Sequence, residues 1–223
     1  MKKNYWIITY AVILAVHLIG IYLNNETLQL FSKPLLVIVL IGCFLLQTRI
    51  WNDTLKKWIL AALFFSWVGD VLLMLQGNDQ LFFLLGLSSF LLAHIFYIIF
   101  FHNIRLRENI KSLWLLLFIV VVYYAVLITL LSPYLGTMKL PVRVYGIFIS
   151  FMFMLAMHML FIKNKSAGRL MMIGALFFVV SDSTLAINKF YQSFESAGII
   201  IMLTYGLAQL FITEGAIKYI RRK

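Results

Sequence analysis

Two aspartates stand where an aspartate is costly. Asp70 closes the stretch Phe64-Phe65-Ser66-Trp67-Val68-Gly69-Asp70, inside an apolar run from Trp58 to Leu75. Asp182 closes Val179-Val180-Ser181-Asp182 inside a second such run. Each run is long enough to cross a bilayer, where a carboxylate costs roughly 2.5–3.5 kcal/mol by insertion scales. A chain that keeps such a group gives it a partner or a task. Two carboxyls sharing one site resist double ionisation, so a pair holding a single proton offers a proton donor and a negative charge together. That combination suits a reaction passing through a cation, as the carboxylates of glycosidases do for an oxocarbenium ion. It also suits the proton relay of a proton-coupled transporter. A structural hydrogen-bonded pair is the plain alternative to both.

Other polar residues recur at helical spacing around the same level. Ser66 stands one turn before Asp70 on the same face, and Ser181 adjoins Asp182. Gly86, Phe90, His94 and Tyr97 form one stripe; Tyr205, Gln209 and Thr213 form another. Polar side chains in spans face the bundle interior, so these stripes are expected to converge on one polar cavity. Lys33, Lys139 and Arg143 fall at one rim of it. His94 is the one histidine within reach of both aspartates, whereas His17 and His158 sit among apolar residues and read as structural. A zinc site needs three or four His, Cys or carboxylate ligands, and this set is too poor for one, so no metal or other cofactor is expected. No GxSxG motif is present to suggest a serine nucleophile.

The elements that must position these residues follow from hydropathy. Eight apolar segments, each near the length a span requires, run approximately over Tyr5–Leu23, Pro34–Gln47, Trp58–Leu75, Leu81–Phe101, Leu113–Leu131, Pro141–Ile162, Leu170–Ile187 and Ala197–Ile220. The second can begin as early as Leu28. Pro34 and Pro141 are placed in first turns and Pro133 beyond the fifth segment, where none kinks a span. The predicted fold is therefore all-α: a single eight-helix transmembrane domain over residues 1–223, with antiparallel neighbours. No small-x-small cleavage site follows the first segment before Asn24, so that segment is expected to remain as a span.

Composition agrees. The 223 residues are 63% hydrophobic and 12% charged, against about 25% charged in a soluble domain. The net charge of +11 does not point to nucleic acid, because the basic residues lie between spans and obey membrane topology. Alternate ends carry fifteen and four of the nineteen lysines and arginines, which predicts that both termini are cytoplasmic. Counted at about 1.5 Å per residue, Asp70 lies about 18 Å and Asp182 about 18–20 Å from the cytoplasmic ends of their segments, a shared level in the outer half of the bilayer. The single cysteine, Cys43, makes no internal disulfide. Oligomeric state is left open.

Taken in order, Ser66-x-x-Gly69-Asp70, Gly86-x-x-x-Phe90-x-x-x-His94-x-x-Tyr97, Pro141-x-x-x-Tyr145-Gly146, Gly174-Ala175-x-x-Phe178-x-x-Ser181-Asp182 and Tyr205-x-x-Ala208-Gln209 resemble the YhhN family. The resemblance runs from Lys33-Pro34 to Gln209; it departs at Gly206, where the family pattern often has a second tyrosine. It implies a multi-pass protein of the bacterial plasma membrane that hydrolyses the vinyl-ether bond of lysoplasmalogens, releasing a fatty aldehyde and a glycerophospho-base. For that reaction the chemistry of the residues assigns Asp70 as acid or acid/base and Asp182 as its partner, with His94 orienting one of them or relaying a proton. The resemblance implies Lys33, Ser66, Tyr97, Arg143, Tyr145, Ser181, Tyr205 and Gln209 around a lysophospholipid substrate, with Lys33 and Arg143 on its phosphate.

Overall fold

The computed structural model describes residues 5–77 and 80–221. Lys2, Lys3, Arg222 and Lys223, which belong to the basic count, and Asn78 and Asp79 between the third and fourth segments, lie outside the described residues. Eight helices follow one another: α1 Tyr5–Tyr22, α2 Glu26–Thr48, α3 Leu55–Met74, α4 Gln80–Arg107, α5 Trp114–Leu131, α6 Lys139–His158, α7 Lys165–Ala186 and α8 Ala197–Ile220. A π-helical turn, Ile187–Tyr191, extends α7. All eight are long and apolar enough to cross a membrane, and the described residues form no strand. The chain is a multi-pass membrane protein.

The helices pack in the cyclic order α1, α2, α3, α4, α6, α7, α8, with α8 returning to α1 and α2; α5 leans on the outside of α6. Large apolar side chains such as Trp114, Leu115, Phe118 and Val126 of α5 are exposed on the bundle's outer surface, as a helix facing lipid tails requires. Between helices, lipid gives no hydrophobic drive, so close backbone approach and polar contacts hold the bundle. The α7–α8 seam shows this. A Cβ on Gly174 would lie 2.8 Å from Ile212 N and 2.9 Å from Ala208 O. Only a glycine lets α8 come that near, and this approach presents Tyr205 to the interior.

Helix ends depart from the hydropathy limits where capping and ion pairing intervene. The α2 helix starts two turns before Pro34, because the Asn25 side chain accepts from Leu28 N at 3.0 Å and Glu26 favours the positive end of the helix dipole. Pro34 therefore stands inside α2 and not in its first turn. The α4 helix runs on to Arg107, which donates two bonds to the Asp53 carboxylate at 2.8 and 2.9 Å. Arg221 reaches Gln47 at 2.7 Å, so the basic connections gather at one end of the bundle. Asp70 and Asp182 each stand four residues before the other end of their helices, at Met74 and Ala186. Their levels match, but that end is only about 6 Å of helical rise away.

Candidate functional site

Asp70 lies in a closed polar knot. Gly69 beside it packs flat on Phe90, whose ring a Cβ would meet at 2.7 Å, so α3 sits hard against α4. The Asp70 carboxyl is 2% exposed and lies 3.4 Å from the Lys33 ammonium. Tyr205 donates to its second oxygen at 2.6 Å. Behind Tyr205, Gln209 Nε2 donates to the Tyr205 hydroxyl at 3.3 Å, and Tyr97 donates to Gln209 Oε1 at 2.7 Å. The donors Tyr97, Gln209 and Tyr205 thus form one directed chain ending on Asp70. A buried carboxylate with an ammonium and a hydroxyl on it has the partners it needs to stay charged.

Asp182 is held differently. Tyr145, from α6, donates a short hydrogen bond to Asp182 Oδ2. His94, from α4, is fully buried, and its Nε2 faces the same oxygen at 3.7 Å. The other ring nitrogen, Nδ1, lies 2.7 Å from the Phe90 carbonyl. A carbonyl only accepts, so Nδ1 carries the hydrogen and the neutral ring presents a lone pair at Nε2. That nitrogen has no hydrogen-bond partner. A lone pair facing a carboxyl is favourable only when one proton stands between them.

Phe178 separates the halves. Its ring lies 4.8 Å from His94 and 5.6 Å from Tyr205, edge-on to both. Beside Asp182 opens a small cavity of about 40 Å³, walled by Leu73, Phe83, Leu87, Phe90, Val142 and Phe190 among others. Asp182 and Tyr145 supply its polar end. A groove of about 230 Å³ between α4 and α6, with Leu84, Leu91 and Val144 on its sides, shares Leu87 and Tyr145 with the cavity.

Of the residues singled out by sequence, the structure brings Asp182 and Tyr145 to the cavity end, with His94 packed behind them, and Asp70, Lys33, Tyr97, Tyr205 and Gln209 into the knot. The single polar cavity expected from the stripes is thus a packed polar cluster beside an apolar cavity. Ser66 is fully buried beside Tyr97. Ser181, a third of a turn from Asp182, points to α8 and donates to Ile201 O at 3.0 Å. Arg143 lies on the face of α6 opposite Tyr145, donates to Ser132 at 2.8 Å and is not on the cavity wall. The Lys33 ammonium stands against Asp70, and Lys33 is likewise not on the cavity wall. At Gly206, a Cβ would strike Leu14 at 2.7 Å, and the carbonyl accepts from Tyr10 at 2.8 Å; that position faces α1, away from the carboxyls. Sequence reasoning missed Phe178 as the partition and Phe83 and Phe190 as cavity walls. Phe178 carries a legible signal, one turn before Asp182; the other two look like ordinary apolar residues. Among the described residues, no three of His, Cys, Asp and Glu gather as metal ligands would.

Comparison with known proteins places this arrangement in context. The model of the YhhN family matches residues 28–216. The chain is 34% identical to lysoplasmalogenase TMEM86A of Homo sapiens over 169 residues, which are 72% of this chain and 65% of that protein. It is 33% identical to lysoplasmalogenase TMEM86B of Homo sapiens over 160 residues, covering 70% and 62%. The Rattus norvegicus TMEM86B is 32% identical over 162 residues, covering 72% and 62%. The match thus spans a little under two thirds of the length of these curated relatives. No solved structure matches the chain.

Proposed function

Because this chain belongs to the YhhN family, and relatives that it matches over most of its length are lysoplasmalogenases, we propose that it hydrolyses the vinyl-ether bond of a lysophospholipid within the membrane. The observation that carries this reading is the unpartnered His94 Nε2 facing Asp182 at the polar end of an apolar cavity. The groove between α4 and α6 gives an alkenyl chain a lateral way in from the bilayer, and Tyr145 stands where groove and cavity meet.

In the proposed reaction Asp182 enters as the neutral acid, since its half of the site has a histidine but no lysine or arginine within ion-pair distance among the described residues. It transfers its proton to the β-carbon of the vinyl ether, and the electron pair of the double bond forms the new C–H bond. The adjacent carbon becomes an oxocarbenium ion, stabilised by the carboxylate left behind and by the nearby charge of Asp70. Water adds to that carbon while His94 Nε2 takes its proton. The hemiacetal then collapses: its hydroxyl proton is lost as the carbonyl forms, the C–O bond to glycerol breaks, and the glycerol oxygen is protonated. Fatty aldehyde and a glycerophospho-base leave, and the proton on His94 restores Asp182. Tyr145 fixes the donor oxygen. The knot around Asp70 is a fixed counter-charge. We place the basic end of the bundle, with both termini, in the cytoplasm, which puts the cavity in the outer half of the membrane.

Purified protein in detergent is expected to release aldehyde from a 1-alkenyl lysophospholipid and none from the saturated 1-alkyl analogue. No aldehyde from any vinyl-ether lysolipid would overturn the proposal, and proton flux in liposomes would then favour a transporter.

A further inference from the structure

The cavity's outer wall ends on a cation that the reaction above does not use. Phe83 and Phe190 face each other edge-on at 5.9 Å, and both line the cavity. The Lys189 ammonium lies over the Phe83 ring, 5.0 Å from its centroid. Lys189 belongs to the π-helical turn Ile187–Tyr191, a type of irregularity frequent at functional sites. The turn is pinned: Asn188 Oδ1 accepts from Phe194 N at 3.2 Å, and Tyr191 packs edge-on against Tyr134 at 5.1 Å. Lys33 and Arg143, the other cations considered for a headgroup, contact Asp70 and Ser132 and do not line the cavity.

Spacing agrees with a lipid. Lys189 stands seven positions after Asp182, in the π-helical turn that continues α7, roughly 10 Å further along the axis. In a 1-alkenyl lysophospholipid, seven bonds separate the carbon that receives the proton from the phosphorus, about 8 Å when extended. Resting on the hydrolase reading, we infer that Lys189 is the headgroup-phosphate contact of the substrate: its ammonium swings off Phe83 onto the phosphate diester when the vinyl ether lies against Asp182. This exposed, flexible stem can make that move without disturbing α7, and an ammonium bonds phosphate as a compact point charge.

The test compares ligands with and without phosphate. Affinities of purified protein are measured for a non-cleavable 1-alkyl lysophosphatidylcholine, the matching 1-alkylglycerol, and inorganic phosphate alone. Wild-type protein should prefer the phospholipid over the alkylglycerol. Lys189→Met keeps the stem on Phe83 and removes the charge, and should reduce that preference by roughly 10-fold or more, as loss of a charged hydrogen bond does. KM for the cleavable lysophospholipid should rise by the same factor, and Lys189→Arg should restore most of both. Lys139→Met removes the same charge from the same end of the bundle and should leave the preference intact. Unchanged preference in folded Lys189→Met overturns the inference. So does an equal loss in Lys139→Met, which would mean a diffuse field, or binding of inorganic phosphate as tight as that of the lipid. The binding arm uses uncleavable ligands, so it still decides the role of Lys189 if no aldehyde is released.

Discussion

Replacing Asp182 by asparagine isolates the proposed proton transfer. Asparagine keeps the shape of the side chain and a carbonyl oxygen that accepts from Tyr145, so the α6–α7 bond persists. No lysine or arginine stands within ion-pair distance of Asp182 among the described residues, so the change leaves no cation uncompensated. What is lost is the transferable proton and the carboxylate that follows it. Removing a general acid typically lowers the rate by about 10²–10⁴-fold, or about 2.7–5.4 kcal/mol of transition-state stabilisation. The loss should fall on kcat with KM little changed, because apolar walls and the headgroup contact hold the substrate. Aldehyde release, read through a coupled aldehyde reductase and the loss of nicotinamide absorbance, gives both constants. Gel filtration and thermal unfolding in detergent establish that the variant is folded. A folded Asp182→Asn protein within threefold of wild-type kcat would refute the assignment of Asp182 as the acid.

Lys33→Met should destabilise the protein by about 3–5 kcal/mol, because it strands the Asp70 carboxylate in the interior, and Asp70→Asn in the same chain should recover most of that loss; thermal unfolding of the two single and one double variant measures the cycle, and additive losses would refute the pairing. Tyr145→Phe removes the hydrogen bond that fixes Asp182 Oδ2 and should lower kcat about tenfold with a smaller change in KM, read in the aldehyde assay. Dialysis against a chelator should leave aldehyde release largely intact, since one histidine and two separately engaged carboxyls are a poor metal site; loss restored by zinc would replace the acid mechanism with a metal-hydroxide one. Reporter fusions within residues 76–80 and at the C-terminus should report opposite sides of the membrane, the C-terminal one cytoplasmic, and the same side for both would refute the topology.

Spans were legible because the membrane imposes a simple rule on backbone polar groups, and hydropathy reads it directly. Helix ends were less so. The extra turns of α2 before Pro34 depend on the Asn25 cap, and the extension of α4 depends on a bond from Arg107 to a residue 54 positions earlier. The two aspartates and His94 were legible as expensive groups, yet periodicity cannot say which neighbour each one meets. One residue of offset, about 100° of rotation on a helix, separates Asp182 on the cavity from Ser181 on α8, and two residues separate Tyr145 from Arg143. Lys33 looked like a rim residue because hydropathy gives depth along a helix, not the direction in which a long side chain leans.

Identical side chains take different roles here because packing gives them different neighbours. Gly69 lets α3 lie on Phe90, and Gly174 lets α8 approach α7. Together these close approaches bring Tyr205 and Lys33 onto Asp70 and shut it from the cavity. Asp182 sits at the same level, but its neighbours are a tyrosine from α6 and a histidine whose hydrogen-bearing nitrogen is already committed to Phe90. A carboxyl facing a lone pair, with apolar walls beyond it, is the arrangement from which the proposed proton transfer starts. In the proposed mechanism Asp70 supplies a fixed negative charge and Asp182 the transferable proton, two effects that neither aspartate offers alone.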